Sequence, residues 1–274
     1  MSDSTASRLG RVLIVGAGSM GQAIAAGLLR IEGMQPRSIC MANPGAAKRE
    51  LVEQRWGVET VADARDGLPA DTVVLAVKPN VVSGVASQLA AAGLDARVVI
   101  SVAAGISTST LAEALGHDVP IVRVMPNTPL LCGQGMSAVC AGPGARPDDV
   151  QLVRDVFGSM GRAVVVDEGD MDAVTALSGS GPAYFELVAE TLARSGEQLG
   201  LSYDVARELA LQTMYGTASL VLESGQSLPD AIEAVSSPGG TTVAALEAMR
   251  AGGIEQALES GVEAAARRSR ELGA

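Results

Sequence analysis

The feature that most constrains this chain is a glycine-rich turn close to its beginning. Residues 11–15 form an apolar, β-branched run, the turn GAGSMG occupies residues 16–21, and an alanine- and leucine-rich stretch follows. This order predicts a strand, a tight turn and a helix, the setting of a dinucleotide-binding fingerprint. Gly16 permits the turn, Gly18 lets the backbone approach a pyrophosphate, and Gly21 lets the helix lie close to the strand. We therefore expect a dinucleotide site here, with an ordinary glycine-rich turn as the alternative.

Length, composition and charge narrow the possible functions. With 274 residues the chain is longer than most single domains, so two domains are expected. Its residues are 47% hydrophobic but only 2% aromatic, which suits close helix packing and an apolar subunit interface. A net charge of −11 argues against nucleic acid, because binding along phosphates needs clustered Lys and Arg. We expect a homo-oligomer that acts on a small molecule.

The cysteines and the first residues indicate the compartment. Cys40, Cys132 and Cys140 are widely spaced and lack a CxxC pattern or a histidine cluster, so neither a disulfide framework nor a metal site is expected. Residues 1–10 are a polar lead, predicted to be flexible, without the hydrophobic core of a signal peptide. No apolar run approaches the roughly 18 residues that a membrane-spanning helix needs. The sequence predicts a soluble, cytoplasmic protein.

A second strand is predicted at residues 38–42, and the residues after it bear on the choice of cofactor. Sites specific for NAD place an acidic residue near the end of this strand to bind the ribose 2′-hydroxyl. This chain has no acid between Gly33 and Lys48. Asn43, with Lys48 and Arg49 nearby, would tolerate and attract a 2′-phosphate, which favours NADPH over NADH. A plain turn or cap role for Asn43 is the alternative and is compatible with the same contact.

Three further apolar runs are typical of buried parallel strands: residues 72–77, 97–102 and 121–125. Small or turn-forming residues follow each run. Ligands bind at the carboxyl ends of the strands in an open α/β sheet, so these loops are expected to line the cofactor cleft, with ordinary turns as the alternative. Lys78 is either a phosphate or ribose contact or a surface charge. Two more strands close the sheet near residue 166: residues 135–140 and 163–166.

Beyond residue 166 no apolar β-branched strand recurs. Helical spacing predicts a series of helices there: residues 182–199, 203–223, 229–235, 241–251 and 254–272. The expected fold class is α/β, with an N-terminal Rossmann-type doubly wound sheet followed by an all-helical C-terminal domain. The predicted domains are residues 11–166 and 167–274, after the flexible lead.

Two glycine-containing junctions in the predicted helical domain are candidate functional sites: residues 177–184 and 236–243. In the second junction, Gly239 and Gly240 precede Thr241 and Thr242 at a predicted helix start. Unpaired backbone N–H groups, two hydroxyls and the positive end of the helix dipole would meet there, which suits a carboxylate. The alternative is a capped turn that binds nothing.

The chain is poor in residues that could act as a general base. His117 is its one histidine and lies in a polar loop, where a surface role is expected, and no lysine follows Lys78. A β-hydroxyacid dehydrogenase, which needs a lysine in its helical domain, is therefore disfavoured. The composition favours hydride addition to a C=N bond, because the protonated nitrogen of the substrate supplies its own activation.

Six motifs together resemble one known family, Δ1-pyrroline-5-carboxylate reductase. They are GAGSMG (16–21), AVKP (76–79), SVAAG (101–105), MPNTP (125–129), DAVTALSGSGPAY (172–184) and VSSPGGTTVAALE (235–247). The resemblance implies reduction of L-1-pyrroline-5-carboxylate to L-proline with NAD(P)H, the last step of proline biosynthesis. It also implies that the helical domain binds substrate and interlocks two subunits, with dimers often assembled into decamers.

The resemblance assigns roles by position in this sequence. It implies that substrate is bound by Glu168, Gly239, Gly240, Thr241 and Thr242, with the glycine amides beside the carboxylate. Thr242 would be the catalytic residue, hydrogen-bonding the ring nitrogen and orienting C5 toward the nicotinamide. Asn43 would lie at the 2′-phosphate. The full set of implied cofactor contacts is Val15, Gly16, Ala17, Gly18, Ser19, Met20, Asn43, Ala76, Val77, Lys78, Pro79, Ala103, Ala104 and Gly105.

The chain departs from relatives at a few positions. Asp63 and Ala234 stand where some members have Asn, and residues 227–229 read Ser-Leu-Pro in place of a more usual His-Pro-Gly. An acid at Asp63 would repel the dinucleotide phosphates, so no contact is assigned to it, and none is assigned to Ala234. Two other functions remain open from the residues: another NADP-dependent imine or keto-acid reductase, or a silent dinucleotide-binding protein.

Overall fold

The computed structural model describes residues 4–116 and 119–273, so His117 lies outside the described residues. Within them the chain forms two compact units, residues 4–180 with 264–273, and Gly181–Glu263. The strands, all in the first unit, are β1 Val12–Val15, β2 Ile39–Ala42, β3 Glu59–Val61, β4 Thr72–Leu75, β5 Val98–Ser101, β6 Ile121–Met125, β7 Gly135–Ala141 and β8 Gly161–Val165. The helices are α1 Thr5–Leu9, α2 Ser19–Leu28, α3 Ala46–Trp56, α4 Pro79–Ala91, α5 Thr108–Leu115, α6 Pro147–Gly158, α7 Met171–Val174, α8 Gly181–Gln198, α9 Tyr203–Ser224, α10 Leu228–Ala234, α11 Thr241–Ala251 and α12 Ile254–Gly273.

The described strands form one sheet in the order β3-β2-β1-β4-β5-β6-β7-β8. Strands β1 to β6 run parallel, β7 pairs antiparallel with β6, and β8 runs parallel to β7. The strand order changes direction at β1, between β2 and β4. In a doubly wound sheet the carboxyl ends of the strands at this point border the ligand crevice. The structure therefore confirms the predicted fold class.

Helices cover both faces of the sheet and make two hydrophobic cores. Along β1 the side chains alternate, so that Ile14 faces the core beneath α2 and α6, while Leu13 faces the core beneath α4 and α5. Phe157 of α6 is the largest fully buried side chain of the first core. Burial on both faces explains why the parallel strands are apolar without alternation.

The predicted strands and helices are confirmed to within a few residues, and four short elements were not predicted: α1, β3, α5 and α7. Strand β3 has only partly buried side chains and no apolar run, and α5 begins in a Ser/Thr-rich stretch where Ser107 caps it by accepting from the Thr110 amide. The N-terminal lead, expected to be flexible, contains helix α1. Leu9 is buried, and its carbonyl accepts a hydrogen bond from the Thr72 hydroxyl at 2.8 Å, which holds this helix to the sheet.

The boundary between the two units differs from the predicted boundary at residue 166. Residues 168–180 belong to the first unit because hydrogen bonds connect them to the sheet and its loops, including Asn127 Nδ2 to the Ser178 carbonyl at 3.1 Å. The last turns of α12 also belong to the first unit, where Ser269 donates to Asp172 at 2.6 Å. The assignment of residues 11–166 and 167–274 as domains stays a prediction.

The second unit consists of α8 to α11 and the first part of α12, and it buries few of its own side chains. Helices α8 and α9 approach closely through small residues, since a Cβ at Gly196 would lie 2.8 Å from that of Ala206. Large apolar side chains remain exposed, including Phe185, Leu209 and Leu220. An apolar cavity of about 980 Å³ lies within this unit, lined mainly by α8 and α9. Apolar surface on this scale is typical of a subunit interface.

No helix among the described residues is both long enough and apolar enough to cross a membrane.

The packing of α2 on its preceding turn leads to a stability prediction. A Cβ at Gly21 would collide with the carbonyl oxygen of Gly16, whereas a Cβ at Gly84, in α4, meets nothing within 4 Å. We expect Gly21→Ala to lower the free energy of unfolding by about 1–3 kcal/mol through overpacking. Gly84→Ala should raise it by about 0.5–1 kcal/mol, because Ala is the better residue inside a helix. Urea titration of both variants provides the measurement, and equal effects of the two substitutions would contradict the close approach at Gly21.

Candidate active site

The glycine turn brings the ends of three strands together. Gly16 has a φ of 115°, which favours glycine, and a Cβ there would collide with the carbonyl of Ala76 after β4. The Gly16 amide donates to the Ala42 carbonyl at 2.8 Å, at the end of β2. The carboxyl ends of β1, β2 and β4 therefore meet at Gly16, as the fingerprint requires.

The start of α2 leaves room for an anion. Gly18 is the N-cap of α2, no side chain caps the helix, and a Cβ on Gly18 would project into open space. The Gln22 side chain stabilises the turn by donating a hydrogen bond to the Ala17 carbonyl at 3.0 Å. Uncapped N–H groups at a helix N-terminus are the ordinary receptor for a pyrophosphate. The residues present thus fit the diphosphate of a dinucleotide.

Asn43 lies beside this turn. Its Oδ1 accepts from the Ala17 amide at 3.4 Å, and its Nδ2 donates to the Gly45 carbonyl at 3.3 Å. Arg49 reaches back from α3, where its Nη1 donates to the carbonyls of Asn43 and Pro44 at 2.8 and 2.9 Å. The structure therefore brings Asn43 and Arg49 together at the end of β2. Lys48, the third residue of the predicted group, is exposed on α3.

Two other strand-end loops were predicted to line the cleft. After β4, Lys78 is the N-cap residue of α4, with Pro79 at the first helical position and no side-chain cap. After β5, Gly105 has a φ of 76°, and a Cβ there would lie 2.9 Å from both the Ser269 carbonyl oxygen and the Cβ of Leu272. The second loop is thus packed tightly against the last turns of α12.

Asn127 connects the loop after β6 to two other segments. Its Oδ1 accepts from the Met136 amide of β7 at 2.9 Å, and its Nδ2 donates to the Ser178 carbonyl at 3.1 Å. Ser178 lies in a π-helical turn, Thr175–Gly179, of a kind that is frequent at functional sites. One amide side chain therefore holds the MPNTP loop to the segment that leads into α8.

Glu168 is tied to the loop after β5 and to β6. Its two carboxylate oxygens accept from the amide and the hydroxyl of Thr108, both at 2.6 Å. Arg123 of β6 lies 3.3 Å from the same carboxylate, and its side chain is only 6% exposed. Sequence reasoning found Glu168 through the resemblance but missed Thr108 and Arg123. The sequence did contain a signal for the contact with Arg123. This arginine lies inside the otherwise apolar run IVRVM (121–125), and a buried charge needs a partner of opposite charge.

Asp63 caps a short 3-10 turn. Its side chain accepts from the amide and the Nε of Arg65, both at 2.9 Å. These hydrogen bonds to Arg65 lower the pKa of Asp63 to about 2. The Asp63 carboxylate is therefore engaged by Arg65.

The buried cysteines do not supply a nucleophile. Burial raises the pKa of Cys40 to about 11, with the charge of Glu59 adding to the shift. Burial likewise raises the pKa of Cys140 to about 11, with a smaller contribution from Glu168. Both side chains are consequently protonated at neutral pH.

The second glycine junction forms a tight turn in the second unit. The Gly240 amide donates to the Ser237 carbonyl at 2.9 Å, Pro238 occupies the next position, and Gly239 has a φ of 71°. Pro followed by a glycine of positive φ is the pattern of a type II turn. Gly240 is then the N-cap of α11 without a side-chain cap. In the described part of the chain, the hydroxyls of Thr241 and Thr242 at this helix start make no hydrogen bond.

Comparison with known proteins gives consistent matches. Residues 168–272 match the family model described as pyrroline-5-carboxylate reductase dimerisation, and residues 11–105 match the one described as NADP oxidoreductase, coenzyme F420-dependent. Pyrroline-5-carboxylate reductase from Corynebacterium melassecola is 38% identical over 267 residues, 96% of this chain and 98% of that protein.

Two solved structures extend the match to three dimensions. The pyrroline-5-carboxylate reductase from Coxiella burnetii has a TM-score of 0.88 at 35% identity, covering 97% of this chain and 99% of its own. Plasmodium falciparum pyrroline carboxylate reductase, solved with NADP bound, has a TM-score of 0.88 at 29% identity with the same coverage of both chains. The likeness thus extends over nearly the whole described chain.

The position of Asn127 leads to a second prediction. In Asn127→Asp the donor to the Ser178 carbonyl is replaced by a charged acceptor, so the free energy of unfolding should fall by about 1–3 kcal/mol. The matched control is Asn80→Asp in the exposed first turn of α4, where a carboxylate meets the positive end of the helix dipole. That variant should gain about 0.3–1 kcal/mol. Thermal unfolding without cofactor tests the pair, and an undiminished melting temperature for Asn127→Asp would contradict the bridging role.

Proposed function

The chain belongs to the pyrroline-5-carboxylate reductase family, and we propose how its own residues bring about the reduction of L-1-pyrroline-5-carboxylate to L-proline with NAD(P)H. The observation that supports this proposal concerns the two glycine-containing turns that precede α2 and α11. Both Gly18 and Gly240 begin a helix that no side chain caps, so the backbone N–H groups of α2 and α11 are available to anions. A pyrophosphate and a small carboxylate are the two anions that this reaction brings to the protein.

The first turn and the strand-end loops are proposed to hold the cofactor. The residues are those around Gly16 to Met20, Asn43 at the 2′-phosphate, and the loops at 76–79 and 103–105. When bound, NAD(P)H supplies the hydride that reduces the C=N bond of the ring at C5. The glycine turn binds and orients, because N–H groups at fixed positions need no reorganisation when the ligand arrives.

The start of α11 is proposed to hold the substrate. The Gly239 amide and the free N–H groups of α11 that follow Gly240 bind the carboxylate, since the Gly240 amide itself donates to the Ser237 carbonyl. The side chain of Thr241 completes that site. Thr242 is the catalytic residue, because its hydroxyl hydrogen-bonds the ring nitrogen and thereby sets the orientation of C5. The reaction needs no strong base from the protein, since the protonated imine carries its own positive charge. Rate enhancement then comes mainly from positioning and from the exclusion of water.

The choice between the two nicotinamide cofactors is proposed to depend on the end of β2. Asn43 carries no charge, and the Arg49 guanidinium is held beside it by the carbonyls of Asn43 and Pro44. A positive group with an uncharged neighbour supports binding of a 2′-phosphate, so NADPH is the proposed physiological reductant.

The chain forms a homo-oligomer, as its dimerisation-family match at residues 168–272 indicates. We propose that dimers assemble further into decamers, in line with the resemblance, and that the protein acts in the cytoplasm, where its free cysteines would stay reduced. Light scattering after size-exclusion chromatography measures the mass directly. A mass of two chains at all concentrations would contradict the decamer.

The primary test of the function is the oxidation of NADPH with pyrroline-5-carboxylate, followed by absorbance, with identification of proline as the product and NADH in a parallel reaction. We expect substrate-dependent oxidation with both cofactors, faster with NADPH at low concentration. A folded protein that binds NADPH but makes no proline would instead support a keto-acid reductase or a silent binder.

Removal of the Thr242 hydroxyl gives a prediction for catalysis. Thr242→Ala should lower kcat/KM for pyrroline-5-carboxylate by about 10- to 100-fold, the effect of one lost orienting hydrogen bond. Thr242→Ser keeps a hydroxyl and should recover most of the activity. Steady-state kinetics with saturating NADPH provides the measurement, and unchanged kcat/KM in Thr242→Ala would exclude Thr242 from the mechanism.

A charge change at Asn43 gives a prediction for cofactor choice. Asn43→Asp should raise the Kd of NADPH about tenfold or more, with a smaller effect on NADH, because the new carboxylate repels a 2′-phosphate. The matched control, Gln54→Glu, adds the same charge on an exposed position of α3, about 12 Å along the helix from its first residue, Ala46. Fluorescence titration gives both constants. Equal weakening of NADPH and NADH would argue against a role for Asn43 at the 2′-phosphate.

A further inference from the structure

Residues 102–108, the loop after β5 together with the first residue of α5, are held at two points by one short acidic segment. We call them the 102–108 loop. It contains Ala103 to Gly105, which the proposed function places against the cofactor, so an inference about this loop rests on that function. The segment is residues 168–172, which follow β8 and include the first two residues of α7. Glu168 and Asp172 supply the two carboxylates that hold the loop.

The distal end of the loop is held directly. Thr108 is 3% exposed, and both its amide and its hydroxyl donate to Glu168 at 2.6 Å. Two short hydrogen bonds from one residue to the two oxygens of one carboxylate fix orientation as well as distance. Arg123, 3.3 Å from the same carboxylate, keeps it in place from β6.

The middle of the loop is held through α12. Gly105 packs on the last turns of this helix so closely that a Cβ on Gly273 would collide with the Gly105 carbonyl oxygen. Ser269, which is 2% exposed, donates its hydroxyl to Asp172 at 2.6 Å. Asp172 therefore holds the helix turn against which Gly105 rests.

We propose that Glu168 and Asp172 are positioning residues that together hold the 102–108 loop in the conformation that binds the cofactor. This assignment differs from the role in substrate binding that the resemblance implies for Glu168. Both of its oxygens accept hydrogen bonds from a residue of the loop itself. The segment thus acts on the cofactor through Thr108 and Ser269.

The test uses substitutions that change hydrogen bonds with little change in shape. Thr108→Val removes the hydroxyl, Thr108→Ser keeps it, and Glu168→Gln and Asp172→Asn neutralise each carboxylate. Asp170→Asn neutralises an exposed carboxylate within the same segment and is the matched control. Three quantities are measured on the full chain: the Kd of NADPH by fluorescence without substrate, the KM of pyrroline-5-carboxylate at saturating NADPH, and hydrogen exchange of the 102–108 amides without any ligand.

We expect Thr108→Val, Glu168→Gln and Asp172→Asn each to raise the Kd of NADPH about tenfold and to speed exchange of the loop amides, with the substrate KM within about twofold of the parent. Thr108→Ser and Asp170→Asn should behave like the parent. A raised substrate KM with unchanged NADPH binding in Glu168→Gln would overturn the proposal in favour of a direct substrate contact. Unchanged loop exchange and NADPH binding in Thr108→Val would overturn it too.

The result of this test can be distinguished from the result of the test of the proposed function. Turnover of pyrroline-5-carboxylate by the parent protein tests the function, whereas NADPH binding and loop exchange test the positioning segment without any turnover. Thr108→Val keeps the buried Arg123 and Glu168 paired, so it remains informative even where neutralising Glu168 impairs folding.

Discussion

The first unit depends on backbone segments approaching more closely than side chains would allow. At Gly16 the end of β1 lies against the Ala76 carbonyl, and at Gly21 helix α2 lies against the Gly16 carbonyl. Neither contact leaves space for a Cβ. Because these contacts set where β1, β4 and α2 end and begin, they also set the position of the uncapped N–H groups at Gly18. The position of the cofactor turn is thus a consequence of packing in the core.

A second constraint is the burial of a charge. Arg123 lies in an apolar strand with little exposure, so its guanidinium needs a carboxylate, which Glu168 provides from the chain beyond the sheet. The same carboxylate has oxygens that bind Thr108, so the ion pair that keeps the core neutral also orders a loop at the ligand edge. Glu168 therefore contributes both to the stability of the fold and to the geometry of this loop. Substitutions of Glu168 have to be interpreted with both effects in view, which is why Thr108 is the more informative position.

The regular elements could be predicted because each buried strand is a continuous apolar run, and because glycine, proline or a capping residue marks where each long helix begins. The boundaries of β6 and α11 match their predictions, since each follows or precedes proline or glycine. Helix α1 was not predicted because what orders it is burial of Leu9 and a hydrogen bond from Thr72, a contact distant in sequence. For the same reason the partners of Glu168 could not be found: Thr108 and Arg123 are 60 and 45 residues away along the chain. Residue types and local spacing identify turns and caps, but pairings across the fold need coordinates.

The second unit carries the constraint that links function to assembly. Helices α10 and α11 bury none of their residues within a single chain, and α8 and α9 leave Phe185, Leu209 and Leu220 exposed. Apolar burial is the main stabilising contribution to folding, and these residues lie within the dimerisation-family match, so we expect a second copy to stabilise them. The turn that presents Thr242 lies between α10 and α11. Its geometry therefore depends on helices that a single chain does not bury, so we expect the proposed substrate site at the start of α11 to depend on the oligomer.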